Sequence, residues 1–230
     1  ALSTRLLSLR VGKIQTFGPA GQPSAIGKQA VSGRVEVSKL GLAGDEQADS
    51  LHHGGIDKAL HHYPVEHYAA WARELPEQAG LFMAGGFGEN LSTLGLTEEK
   101  VCLGDVFQIG SAIIQVSQGR KPCWKLNHRF GVADMERRVQ DSGRTGWYYR
   151  VLAEGRIAPD DDLTLIDRPQ PDWTLARLIR VIYHAKPDRT ALAALAGLSV
   201  LAPSWREMAE KRLATGRTED WLRRLVTPKN

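Results

Sequence analysis

Ala112-Ile-Ile-Gln-Val-Ser-Gln118-Gly119-Arg120-Lys121-Pro122-Cys123-Trp124-Lys125 runs from an apolar stretch straight into a loop that sets a cysteine among cations. The β-branched, alternating residues up to Ser117 read as a strand, as does Asp105-Val-Phe-Gln-Ile109 just before them. The pattern recurs in both directions. Toward the N-terminus it appears in Leu9-Arg10-Val11-Gly12-Lys13-Ile14 and Gly33-Arg34-Val35-Glu36-Val37; toward the C-terminus, in Gly146-Trp-Tyr-Tyr-Arg-Val-Leu152 and Leu163-Thr-Leu-Ile166. Between them, Pro64 opens a helix to about Leu75, a short periodic stretch follows Cys123, and another helix covers about Val132 to Gln140. Many short strands with few helices and no regular βαβ alternation predict a mainly β fold with some α, a barrel or a sandwich. Residues 41–62 show no sustained period and read as one long loop, a kind of segment that commonly carries function.

After Arg168-Pro169-Gln170-Pro171-Asp172 the character changes, and the two prolines signal a linker. Asp172, Asp188 and Ser204 stand where they could cap helices over Trp173–His184, Arg189–Ala196 and Trp205–Leu213, and Thr218–Val226 is a last amphipathic stretch. The predicted organisation is therefore a β domain over 1–170 and a small helical domain over 171–230. The second part is basic, with 11 Lys/Arg against 6 Asp/Glu, while the first is near neutral at 19 against 20. That excess is too small to indicate nucleic acid when a solvated helical surface explains it as well. Ala193-Ala-Leu-Ala-Gly-Leu-Ser-Val200 is read as a helix hairpin rather than a DNA-reading turn.

The 230 residues, 42% hydrophobic and 24% charged, have the usage of a soluble globular protein and exclude disorder. Arg5 and Arg10 interrupt the first apolar segment, and no stretch approaches the roughly 20 residues that span a bilayer. A cytoplasmic location without membrane contact is expected, with Cys102 and Cys123 as free thiols.

Several constellations could carry chemistry. Five of the seven histidines lie between residues 52 and 67, but His-Glu-x-x-His is absent and His62 and His67 are five apart, so a zinc helix is not indicated. His53-Gly54-Gly55-Ile56-Asp57-Lys58 reads as a cradle for an anionic ligand, with glycine N–H groups and a lysine charge. Gly85-Gly86-Phe87-Gly88 is a second glycine turn, followed by the polar pair Glu89 and Asn90. Arg120, Lys121 and Lys125 surround Cys123 with positive charge that favours a thiolate, the form that attacks or ligates a soft metal. Cys102, with no such neighbours, reads as an inert core thiol. Trp147-Tyr148-Tyr149 reads as a strand, of which one ring could wall a pocket.

Taken in order, Gly41-Leu-Ala-Gly-Asp45-Glu-Gln-Ala-Asp49, His53-Gly54-Gly55-Ile-Asp57-Lys58-Ala59, Gly88-Glu89-Asn90-Leu91-Ser92, Gly104-Asp105 and Arg120-Lys-Pro-Cys123 resemble the MOSC family, the domain at the C-terminus of molybdenum cofactor sulfurases. The resemblance is closest to the YiiM-like branch of 6-hydroxylaminopurine resistance proteins, through Ile114-Gln-Val-Ser-Gln118 and the C-terminal helical extension. It implies a MOSC-type β-barrel followed by a three-helix domain, binding a pterin molybdenum cofactor with Cys123 as metal ligand and catalytic residue. Thiolate ligation suits a soft metal. By the same matching, Lys58, Arg120 and Lys121 would meet the cofactor's phosphate, with backbone donors from Gly54 and Gly55. Glu89 and Asn90 join the cofactor-binding set, and Asp57 and His53 the catalytic one.

The resemblance further implies a molybdenum-dependent reductase of N-hydroxylated compounds such as 6-N-hydroxylaminopurine, a detoxification of base analogues. With no flavin or nicotinamide motif in the chain, a separate reductase, an acidic flavoprotein for instance, would supply electrons, docking on the basic helices near Arg223 and Arg224. The alternative is a non-redox protein that binds the cofactor or carries sulfur as a persulfide on Cys123; a third reading is a regulatory module whose tail binds DNA. Homodimerisation rests on base rates alone.

Overall fold

A computed structural model describes residues 2–48, 55–184 and 186–227, with the side chains of Leu222 and Arg223 outside that description. Seven strands form the body: β1 (Ser3–Val11), β2 (Leu60–Pro64), β3 (Leu91–Thr93), β4 (Val106–Ile109), β5 (Ala112–Gly119), β6 (Trp147–Ala153) and β7 (Asp162–Asp167). Around the sheet they run β7-β4-β5-β6-β2-β3-β1, and β1 pairs back onto β7 with Thr4 opposite Leu163, which closes a barrel. Closure removes the free edges that a mainly β chain otherwise has to cover. The barrel's parallel pair is β2 with β3, His62 opposite Leu91. Parallel neighbours need a crossover, supplied here by helix α1 (Val65–Glu74), the 3-10 turn Pro76–Leu81 and the glycine turn at 85–88.

Alternation along β6 sorts its side chains into two environments. Trp147 and Tyr149 are fully buried and meet His62 of β2 at ring-centroid distances of 4.4 and 5.8 Å, inside the barrel. Tyr148 and Tyr63 stand on the outer wall. Tyr63 packs there beneath Tyr68 and Trp71 of α1, Phe87 of the glycine turn and Phe130 of α2 (Lys125–Phe130), forming a second apolar cluster outside the barrel. Helix α3 (Met135–Ser142) adds Met135 and Val139 to it.

The described residues between 41 and 62, namely 41–48 and 55–62, hold more regular structure than the long loop expected. Gly41–Leu42 is a short strand, Ile56–Lys58 a 3-10 turn, and β2 begins at Leu60, so His61 and His62 are strand residues. All five residues of β2 are buried, which hides the polar-apolar alternation that marks a half-exposed strand.

The segment beyond Arg168 is fastened to the barrel. Arg168 forks onto the fully buried Asp105 carboxylate (2.9 and 2.7 Å), Leu103 N–H donates to Trp173 O, and Leu175 N–H donates to Val101 O. Helix α4 (Leu175–Ile179) is capped by Thr174, whose Oγ1 accepts the Arg177 N–H, and not by Asp172; it continues as a π-helical segment, Arg180–His184. Asp188 caps α5 (Arg189–Ala196) as expected, through bonds from the N–H groups of Thr190 and Ala191. Helix α6 (Pro203–Thr215) starts from Pro203 with Ala202 at the cap position, which displaces Ser204 from that role, and α7 is Leu222–Leu225. Trp173, Leu178, Leu192 and Trp205 belong to the same continuous core as Val116 and Tyr149.

Candidate functional site

An open cleft lies on the outer wall of the barrel, between β2 and β6, the glycine turn, the loop that follows β5, and the segments around Lys28 and Asp45. The interior is filled by core side chains, so the outer wall is where a ligand can sit. Cross-strand register builds the floor. Gln118 stands opposite Tyr148, and Tyr148 opposite His61, whose ring stacks on Tyr148 at 4.8 Å. Asn90 closes the row: its Oδ1 accepts the His61 N–H (2.9 Å), and its Nδ2 donates to Arg10 O and to Asp45 Oδ2.

Cys123 lines this cleft and is 7% exposed. Lys28, Lys58, Arg120 and Lys125 line it too. Of the lining carboxylates, Asp45 is matched by Lys28 at 2.6 Å, and Glu46 by Lys13 at 3.2 Å and the Ile14 N–H. Arg120 is held beneath the turn by a bond from its Nη1 to Phe87 O (2.9 Å). Burial, with the Arg120 charge second, drives the His61 imidazole well below its usual range, so it is neutral near pH 7. Its Nε2 is buried without a hydrogen-bond partner. Burial raises the Tyr148 phenol, against a smaller lowering from Arg120, so the hydroxyl keeps its proton.

Of the residues expected at a site, the cleft brings together Cys123, Lys58, Asn90 and Arg120. Gly55 lies beside it with φ +100°, its N–H donating to the lining Gln47. His53 and Gly54 lie outside the described residues. Three others serve elsewhere. Glu89 is fully buried under the turn and accepts from Tyr68 Oη (2.6 Å), Gly85 N–H (2.6 Å), Phe87 N–H (3.1 Å) and Ser92 Oγ (3.0 Å). Asp57 pairs with Arg150 at 2.8 Å, and its carbonyl accepts from Ser117 Oγ. Lys121 turns to the helices, its ammonium 5.5 Å from the Trp205 ring; burial, and then the neighbouring Lys58, push its pKa down to about 8.

Lys28 and His61 are site residues that the sequence does not mark; Lys125 is marked only as a charge beside Cys123, and Asp45 only as part of a motif. The question of which aromatic meets the cleft is answered by register: Tyr148 does, while Trp147 stays in the core. Cys102 is a core thiol, raised by burial, as expected. Among the described residues, no group of three His, Cys, Asp or Glu forms a metal cluster, and no helix is long and apolar enough to cross a membrane.

Residues 49–164 match the MOSC domain model, and residues 173–216 match the YiiM-like, 3-alpha helix domain. The chain belongs to the MOSC family. MOSC domains, as a family, bind molybdenum cofactor. Protein YiiM of Escherichia coli K12 is 48% identical over 214 residues, 93% of this chain and 95% of that one. The crystal structure of YiiM from Escherichia coli superposes with a TM-score of 0.81 at 40% identity, covering 96% of this chain and 98% of the other. A protein of Gibberella moniliformis named reductase is 41% identical over 179 residues, 77% of this chain but 32% of that longer protein. The MOSC match runs from before β2 into the first half of β7 and includes Lys58, Asn90, Arg120 and Cys123.

Proposed function

We propose that this MOSC protein is a molybdenum-cofactor-dependent reductase of N-hydroxylated compounds, with purines such as 6-N-hydroxylaminopurine as the substrate class. The observation that carries the reading is the convergence of one thiol with cationic side chains against an aromatic face. The donor set fits the group: sulfur for a soft metal and Lys or Arg for a phosphate. Cys123 would ligate molybdenum, while Lys58, Arg120 and Lys125 would hold the anionic end. When bound, the cofactor supplies the two electrons that reduce an N–O bond.

The chain's own residues do the rest. Asn90 and the Lys28–Asp45 pair keep the floor rigid, because the donors of the Asn90 amide and both Asp45 oxygens are already bonded within the protein. Tyr148 would offer a flat face to a heteroaromatic ring, and its hydroxyl, kept protonated by burial, could donate to a bound ligand. His61, being neutral, orients and does not act as the acid. Electrons would come from a separate reductase, and a cytoplasmic setting suits that exchange. The likeness to a protein named reductase supports a redox reading over a sulfur carrier.

The test is molybdenum content of protein from a cofactor-replete host, wild type beside Cys123→Ser, followed by anaerobic turnover of an N-hydroxylated purine with chemical reductant. Stoichiometric metal lost with the cysteine, together with turnover, is the expected result. A metal-free wild type whose Cys123 holds persulfide sulfur would replace the reductase with the carrier.

A further inference from the structure

Past Arg120, whose N–H donates to Gly146 O (3.2 Å), the Cys123 loop leaves the barrel wall and is held by the far end of the chain. Arg224 brackets the cysteine. Its Nη1 donates to Pro122 O, the residue before Cys123, and its backbone carbonyl accepts the N–H of Trp124, the residue after, at 2.9 Å. One turn into α2, Asn127 Nδ2 donates to Leu225 O. The guanidinium is aimed by Gln140 Oε1 of α3 (2.7 Å to Nη2) and lies 5.5 Å from the Tyr183 ring. On the other flank, Lys121 rests on Trp205 of α6.

The holding segment is anchored in turn. The N–H groups of Arg224 and Leu225 both donate to Trp221 O, and Trp221 Nε1 donates to Glu219 Oε1 (3.2 Å). Glu219 takes a forked pair of bonds from Arg212 (2.8 and 2.6 Å), which is buried in α6 and also donates to Ile182 O. Burial pushes the Glu219 carboxyl up, but the Arg212 bonds outweigh it and bring it to about 2, so the fork stays ionised. A buried arginine is costly unless fully paired, which makes Arg212 a firm end for this relay.

We propose that residues 221–225 form a strap that fixes the Cys123 loop, with Arg224 as its positioning residue, so that the helical domain controls how the thiol is presented to the cleft. The inference rests on Cys123 being the functional thiol. The strap lies beyond residue 216, where the three-helix domain match ends, and so belongs to neither matched domain.

The experiment uses the full-length chain from a host that makes no pterin cofactor, so that the thiol is open to reagent. Iodoacetamide alkylation is followed peptide by peptide for wild type, Arg224→Ala and Arg224→Lys. Losing charge-assisted bonds shifts a local opening equilibrium, so Cys123 in Arg224→Ala should react about fivefold faster or more. Arg224→Lys should fall between the two, and Cys102 should keep its rate. An unchanged Cys123 rate in folded Arg224→Ala overturns the proposal, as does a joint rise of both cysteines, which would mean general loosening. If Arg224→Ala does not fold, Gln140→Ala removes only the acceptor that aims the guanidinium: a faster Cys123 supports the strap, and an unchanged one overturns it. In a cofactor-replete host, Arg224→Ala should retain less molybdenum than wild type. A faster thiol with no molybdenum in any variant, wild type included, supports the strap and overturns the cofactor reading instead.

Discussion

His61 and His62 are adjacent in sequence and opposite in setting. His62 points into the barrel, where both ring nitrogens are bonded, Nδ1 to Tyr149 Oη (2.9 Å) and Nε2 to Thr93 Oγ1 (2.8 Å). His61 points to the outer wall, stacked on Tyr148 at the cleft, with its Nε2 unpartnered. Inside this barrel both nitrogens of the histidine are matched by hydroxyls, whereas on the outer side of the same strand the His61 Nε2 has no partner and lies at the cleft. That division is the one a strand period of two imposes. It predicts which substitutions unfold the protein and which only change what it binds.

The largest expected effect belongs to a residue whose neighbours in sequence line the cleft but which itself supports the turn. Glu89→Ala leaves four donors unsatisfied beneath that turn, and should destabilise by about 3–5 kcal/mol, read as a lower urea midpoint. Glu89→Gln should cost less, since the amide oxygen still accepts. If either variant keeps full stability and loses only ligand binding, Glu89 belongs to the cleft after all. Next comes the ion pair in the cleft wall. Asp45→Ala strands the buried Lys28 ammonium and frees the Gly12 N–H, a loss of about 3 kcal/mol, whereas the double variant Asp45→Ala with Lys28→Met should recover part of it. A double variant no better than the single would show that the charge is not what matters.

The histidines give a pH signature. Burial brings His62 to about 3 and drives His61 well below its ordinary 6.5, so the unfolded chain binds protons that the folded one refuses. The stabilisation is fully present above pH 6.5 and is lost as pH falls toward 3, with a slope of up to about 1.4 kcal/mol per pH unit for each histidine. His62→Gln should be less stable at pH 7 and flatter over that window. Denaturant midpoints measured between pH 7 and 4 would test this, and equal slopes for the two proteins would remove His62 from the account.

Much of this arrangement was legible in the sequence, and what was not has physical reasons. Strands such as β5 and β6 announce themselves by alternation, and Cys123 by its cations. β2 was read as loop because burial on both faces erases alternation, and its inward polar residue is a histidine. The family resemblance places Glu89 with the cofactor and Asp57 with catalysis, and from sequence a carboxylate beside a glycine turn looks the same whether it faces a ligand or its own turn. Lys28 carried no signal: its partner Asp45 is 17 residues away, and only the closed barrel brings them together.

The smallest effects sharpen the comparison most, because Tyr148 and Tyr149 differ only in which side of β6 they occupy. Tyr149→Phe removes the hydroxyl that pairs with His62 and should cost about 1 kcal/mol of stability with ligand affinity intact. Tyr148→Phe removes a hydroxyl that faces the cleft and should leave the unfolding midpoint within about 0.5 kcal/mol of wild type while changing turnover or KM for the N-hydroxylated purine. A crossed result, with Tyr148→Phe unfolding the protein and Tyr149→Phe altering catalysis, would require the two faces of the strand to be exchanged. A one-residue slip of β6 against β2 would do that, because it would bring Tyr149 rather than Tyr148 opposite His61.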